Sequence, residues 1–174
     1  FEQSNIVDCP TMELLLPLSH ALVERPAMRG KRVAIVTMGG SWGVALSDVL
    51  EAEGLSVPIL SPGLQTKLRE LGMPIRASVR NPVDIGASGL FWDAGLMVEI
   101  GRVILSSGEA DALILHGVGR PGRNAPGDRI EGSPSFVEIQ ESILKAYGDL
   151  ERETNLPVFI GSHYSPWESQ ALFE

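Results

Sequence analysis

Arg32 to Asp48 reads RVAIVTMGGSWGVALSD. The opening run, RVAIVT, is short, apolar and β-branched, the pattern of a strand buried on both faces. Met38-Gly39-Gly40-Ser41-Trp42-Gly43 follows, and a helix is predicted from about Trp42 to Glu53 with Gly54 as its stop. A strand that feeds a helix through a glycine turn is one half of a βαβ unit. If the rest of the chain repeats it, the fold is α/β with a parallel sheet.

The rest of the chain does repeat it. Leu55 to Leu60 reads as a second strand. Ser61 and Pro62 then fit the N-cap and first position of a helix running to Leu71. Val79 to Ile85 is a third extended segment, because Asn81 precedes Pro82. The next helix carries Ala94, Met97, Ile100, Gly101, Ile104 and Leu105 on one face, and Ala110 to Leu115 is the fourth strand. A helix with Phe136, Ile139, Ile143, Leu144 and Tyr147 inward precedes a fifth strand, Leu156 to Gly161, and a last helix opens at Trp167. The expected architecture is a flavodoxin-like three-layer sandwich. It has a five-stranded parallel sheet in the order 2-1-3-4-5, right-handed crossovers and helices on both faces. Upstream, Thr11 caps a helix to about Glu24 with Met12, Leu15, Leu16, Leu22 and Val23 on one face, ended by Pro26. Residues 1–30 are thus a leading helix and linker, and 31–174 the α/β domain.

Ligands of such sheets sit at the carboxyl ends of the strands. Loops 38–43, 85–91, 116–134 and 162–166 therefore matter. Gly39, Gly40, Ser41, Trp42 and Gly43 open a helix whose first N–H groups have no internal partners and carry partial positive charge. That is an anion site suited to phosphate, or else a bare strand-to-helix turn. There is no Gly-Lys-Ser/Thr ending, so it is not a P-loop. The glycine spacing is not that of a dinucleotide fingerprint. Thr37 and Ser41 alone are a thin hydroxyl supply for a flavin phosphate.

Fourteen Lys and Arg against twenty-two Asp and Glu leave a net charge of −8, which argues against nucleic acid as a partner. A lone Cys9 forms no internal disulfide and fits a reducing, cytoplasmic compartment. No apolar run of roughly 18 residues is present to span a membrane, and no signal peptide is visible. The ends, Phe1 and a Glu174 inside a predicted helix, read as those of a piece of a longer protein. No set of His, Cys, Asp and Glu has metal-ligand spacing.

RVAIVTMGGSWGVALSD, together with Asn81-Pro82-Val83-Asp84 and the leading Arg25-Pro26 and Gly30-Lys31-Arg32, resembles the NDP-forming acyl-CoA synthetases. These are the ADP-forming acetate–CoA ligase type, within the succinyl-CoA synthetase superfamily. The matching part is the flavodoxin-like domain that follows their phosphohistidine domain. Ser41-Trp42 departs from that family's loop.

The resemblance implies a domain that helps hold the phosphoryl group of a phosphohistidine at the helix N-terminus near Gly39 to Gly43. It implies no catalytic residue and no tightly bound cofactor in this chain, which alone is expected to be inactive. CoA, ATP or ADP, and Mg would be used by the complete enzyme. CoA-binding, phosphohistidine and nucleotide-grasp domains or subunits would be its partners. An alternative is a non-catalytic module of the same fold that senses acyl-CoA or an anion. A third is a free-standing flavin protein.

Asn81, Asp84, Ser88, His116, Arg120 and His163 are further candidates for lining the site. Asp84 also suits a purely structural role, fixing the 85–89 loop through backbone N–H groups. His116 and His163, at strand ends, also suit structural hydrogen bonds, and His20 on the leading helix suits packing. The 116–134 loop holds five glycines, three prolines and three arginines. Its Arg120, Arg123 and Arg129 suit either an anion or a solvated surface.

Overall fold

The structure, a computed structural model, describes residues 7–86, 93–118 and 136–161. Five helices and four strands follow one another as α1 (Met12–Glu24), β1 (Val33–Thr37), α2 (Gly40–Ala52), α3 (Pro62–Glu70), β2 (Val83–Asp84), α4 (Ala94–Leu105), β3 (Ala112–His116), α5 (Phe136–Thr154) and β4 (Val158–Gly161). The α/β reading holds. The helix expected from Trp167 lies outside the described residues.

The sheet has four strands in the order β2-β1-β3-β4, all pairs parallel. The five-strand order 2-1-3-4-5 is therefore corrected. The third extended segment does not lie between the first and fourth. β1 pairs directly with β3 along its whole length, Val33 opposite Ala112 to Thr37 opposite His116. β2 lies on the other edge of β1, with Val83 opposite Val36.

Leu55–Leu60, expected as a strand, contributes one isolated bridge, Arg32 with Ser56. The reason is chemical. Val33 N donates to Ser56 O at 2.8 Å, so the next rung of a parallel ladder would need the N–H of Pro58, which proline lacks. The Asn81 carboxamide takes that place. Its Nδ2 donates to Val33 O at 2.9 Å and to Pro58 O at 3.0 Å, and its Oδ1 accepts from Ile35 N at 2.9 Å.

Local signals were obeyed where neighbours decide them. Ser61 caps α3, its Oγ accepting from Leu64 N, with Pro62 at the first helical position. Asp93 caps α4 through Leu96 N. The stripe Met97, Ile100, Gly101, Ile104 and Leu105 is buried as expected. So are Ile139, Ile143 and Tyr147 of α5.

α4 and α5 close over the sheet face carrying Ala34, Val36, Leu113 and Leu115. A side chain at Gly101 would put its Cβ 2.6 Å from the Tyr147 ring, so glycine sets how closely the two helices approach. The Tyr147 hydroxyl donates to Met97 O, and burial pushes its pKa up. α2 covers the opposite face of β1. α1 differs from all of these, because none of its thirteen residues is buried.

Arg32 joins the first strand to the third at its amino end. It grips Asp111 with Nη2, Nε and its backbone N at 2.7, 3.0 and 2.9 Å, and donates Nη1 to Gly108 O. The Arg32 side chain first, then its backbone N–H, holds the Asp111 carboxyl below its ordinary value.

Candidate functional site

β1, β2, β3 and β4 end at Thr37, Asp84, His116 and Gly161, and their carboxyl ends share one edge of the sheet. α2 starts there two residues earlier than expected, at Gly40, with Gly39 as N-cap. The cap has no side chain to fold over the helix end. Thr37 Oγ1 accepts from Gly39 N at 3.2 Å, which ties the turn back to β1. Trp42 N and Gly43 N both donate to Gly39 O, at 3.1 and 3.2 Å. Of the expected donors at Gly40 to Gly43, Gly40 and Ser41 make no backbone bond outside the helix among the described residues.

The three glycines do different things. Gly39 has φ −162°, extended backbone open to any residue, and a Cβ there would meet only Trp42 Cδ1 at 3.6 Å. Gly40 faces Asp84: a Cβ would lie 2.9 Å from Asp84 Oδ2. Gly43 is the one buried residue of α2, and a Cβ would lie 2.9 Å from Pro82 Cβ and 3.3 Å from Thr37 Cγ2. Gly43 thus serves close packing of helix on sheet, and Gly40 makes room for a carboxylate.

Asp84 places its charge beside the first turn of α2 and accepts Gly86 N through Oδ1 at 2.8 Å. The backbone bond to Gly86 is the structural role foreseen for it. The carboxylate also favours the positive helix end and opposes an incoming anion. His116 is buried at the end of β3. Trp42, half exposed, lies over it with ring centroids 4.9 Å apart at 32°. Gly161 also lies against this ring: a Cβ there would come within 3.1 Å of His116 Cδ2.

The structure therefore gathers Gly39, Gly40, Ser41, Trp42, Asp84 and His116 at one edge. Asn81 is not among them: it is buried beside the middle of β1, bonded to Val33, Ile35 and Pro58. Ser88, Arg120 and His163, with Arg123 and Arg129, lie outside the described residues. The Trp42–His116 contact was not foreseen, because no local pattern links residues so far apart in sequence. Among the described residues, no three His, Cys, Asp or Glu gather as a metal site. None of their helices is long and apolar enough to cross a membrane.

No protein-family profile matches the chain. Over 88 residues, 51% of the chain, it is 35% identical to the alpha subunit of ADP-forming acetate–CoA ligase II of Pyrococcus furiosus, of which it covers 19%. Over 90 residues it is 34% identical to the alpha subunit of acetate–CoA ligase I of the same organism, covering 18%.

Among solved structures, a Pyrococcus horikoshii OT3 protein matches 98% of the chain with TM-score 0.73 at 27% identity. The dinucleotide-forming acetyl-coenzyme A synthetase 1 of Candidatus Korarchaeum cryptofilum, in complex with phosphate and ADP, matches 99% with TM-score 0.74 at 22% identity. The chain spans 36% and 34% of those two chains.

Proposed function

We propose that this chain, a domain of the NDP-forming acyl-CoA synthetase type, helps hold the phosphoryl group of a phosphohistidine that another domain of a longer parent enzyme presents to it. The observation that carries the reading is the start of α2. A helix N-terminus with a side-chain-free cap opens at the carboxyl edge of the sheet, and the N–H groups of Gly40 and Ser41, in its first turn, make no backbone bond outside the helix among the described residues.

Partial positive charge on backbone amides can steady a dianion without the grip of a salt bridge, so the phosphoryl group can leave again. One helix end supplies only about 0.3–2 kcal/mol. The chain alone therefore binds phosphate weakly, and the histidine-bearing domain must supply the rest. CoA and the nucleotide belong, in this reading, to other domains of the parent.

Gly39→Asp is the decisive variant. The cap backbone is already in the extended region, and a Cβ has room beside Trp42. Aspartate is a preferred N-cap residue and its side chain folds onto the first free N–H groups of the helix. The variant should melt at or slightly above the wild-type temperature. In the parent enzyme it should nevertheless form acyl-CoA far more slowly, because its carboxylate sits where the phosphoryl group must approach. Unchanged turnover in a folded Gly39→Asp enzyme would overturn the assignment.

A further inference from the structure

We infer that the groove between α3 and residues 76–80 is a second anion site, built for a multiply charged phosphate compound. The groove has a volume of about 610 Å³. Arg69 lines one wall, from α3, and Arg76 and Arg80 line the other. No aspartate or glutamate lines it, in a chain whose net charge is −8. The inference stands apart from the reading of α2, because no residue of that helix belongs to the groove.

The fold places these arginines. Ala77 and Val79 are buried in the core, so Arg76, Ser78 and Arg80 on either side of them line the groove. Arg80 O accepts Leu60 N at 2.8 Å, and Ser78 O accepts Asp84 N at 3.0 Å, which fixes the segment against the body. Arg69 reaches across from α3. It donates Nη2 to Ala77 O at 2.6 Å and Nη1 to Pro74 O. Those carbonyls orient its guanidinium without cancelling its charge.

Arg76 and Arg80 have no structural task of this kind. Among the described residues the arginines that pair with carboxylates are Arg25, Arg32, Arg102 and Arg152. Like charges gathered without a counter-charge repel one another, so folding gains nothing from bringing these three together. The groove on the other flank of α3 is the contrast. There Lys67 and Arg102 meet Glu99 and Glu109, and Arg102 Nε lies 3.6 Å from Glu99.

Charge and size give the class of ligand. A guanidinium fork binds phosphate or carboxylate oxygens in pairs. Three of them around one groove suit a multiply charged group, which favours a phosphate compound over a single carboxylate. The volume lies within the range of small-molecule sites, about 300–1,000 Å³, and exceeds what a lone phosphate needs. Pro62 and Val79 supply apolar wall for an organic part.

The test is an NMR titration of the 174-residue chain with inorganic diphosphate and, separately, with a nucleoside diphosphate. Both should shift the backbone amides of residues 76–80 and the side-chain Nε–H signals of Arg76 and Arg80. Tighter binding of the nucleoside diphosphate would give the site to an ester, and equal affinity would give it to the free diphosphate; either result supports the site. Arg76→Ala combined with Arg80→Ala should weaken binding by at least roughly tenfold. Both side chains are exposed, so the double variant should melt at or slightly above the wild-type temperature. Lys67→Ala should bind as wild type does. Diphosphate shifts that survive the double variant would overturn the inference. So would equal shifts with acetate at matched ionic strength. A hexaglutamate peptide that binds more tightly than either phosphate compound would also overturn it, and would give the groove to an acidic protein segment. The Gly40 and Ser41 amides report on the head of α2 in the same spectra, so failure of one site is read separately from failure of the other.

Discussion

The carboxamide oxygen of Asn81 accepts the backbone N–H of Ile35 at 2.9 Å, so a side chain does the work of a strand on the edge of β1. The same group donates to Val33 O and to Pro58 O, and Asn81 is 8% exposed. Its φ of +87° is in the region that asparagine tolerates better than most residues.

Replacing Asn81 by Ala should strand buried backbone groups of Val33 and Ile35. An unmet buried polar group costs about 1–3 kcal/mol, so the loss should be about 2–4 kcal/mol, read as a lower denaturation midpoint. Asn81→Asp should be worse at neutral pH, because a carboxylate would face two carbonyl oxygens. Burial would raise the pKa of that Asp in the folded state. The penalty should then be complete above the raised folded-state value and lift as pH falls toward the unfolded one. A variant as stable as wild type would show that the carboxamide is not what holds β1 to residues 58–81.

Asp84→Asn should separate stability from anion binding. The variant keeps an acceptor for Gly86 N but removes the negative charge beside Gly40. Loss of a carboxylate at a helix N-terminus should lower stability by about 0.3–1 kcal/mol. A carboxylate about 5 Å from a phosphate dianion costs roughly 1–2 kcal/mol even at the dielectric constant of water. Inorganic phosphate should therefore bind the variant several-fold more tightly, with the gain shrinking as salt is added. An NMR titration of the Gly40 and Ser41 amides measures it. Shifts in those amides that do not depend on residue 84 would place the anion elsewhere.

The Arg32–Asp111 pair should show itself as a pH dependence. The folded-state pKa of Asp111 is lowered, so its contribution is present above the ordinary carboxylate value and is lost as pH falls through the lowered one. Asp111→Asn should therefore melt below wild type at pH 7, and the gap should close below about pH 4. The Arg32 side chain is 45% exposed, so the effect is modest and salt weakens it. A gap of the same size at pH 3 would mean that carboxylate charge is not its source.

Much of this fold is written in short stretches of chain. Ser61-Pro62 caps α3, the stripe from Met97 to Leu105 buries one face of α4, and RVAIVT makes β1, because capping and periodic burial depend on neighbours within a turn or two. The position of the glycine turn at the carboxyl edge also follows from sequence, since a parallel βα connection can leave a strand only at that end. Which extended segment joins the sheet could not be read this way. Leu55–Leu60 and Val79–Ile85 carry the same local signal, and the choice falls to a missing N–H at Pro58 and a carboxamide at Asn81. The partner of Gly40 was hidden for the same reason. Asp84 is remote in sequence and reaches α2 only because β2 lies beside β1. Local propensity fixed the pieces and the edge they share. Long-range hydrogen bonds and steric fit, available only once the chain has folded, decided which strand pairs with which and what charge stands at the head of α2.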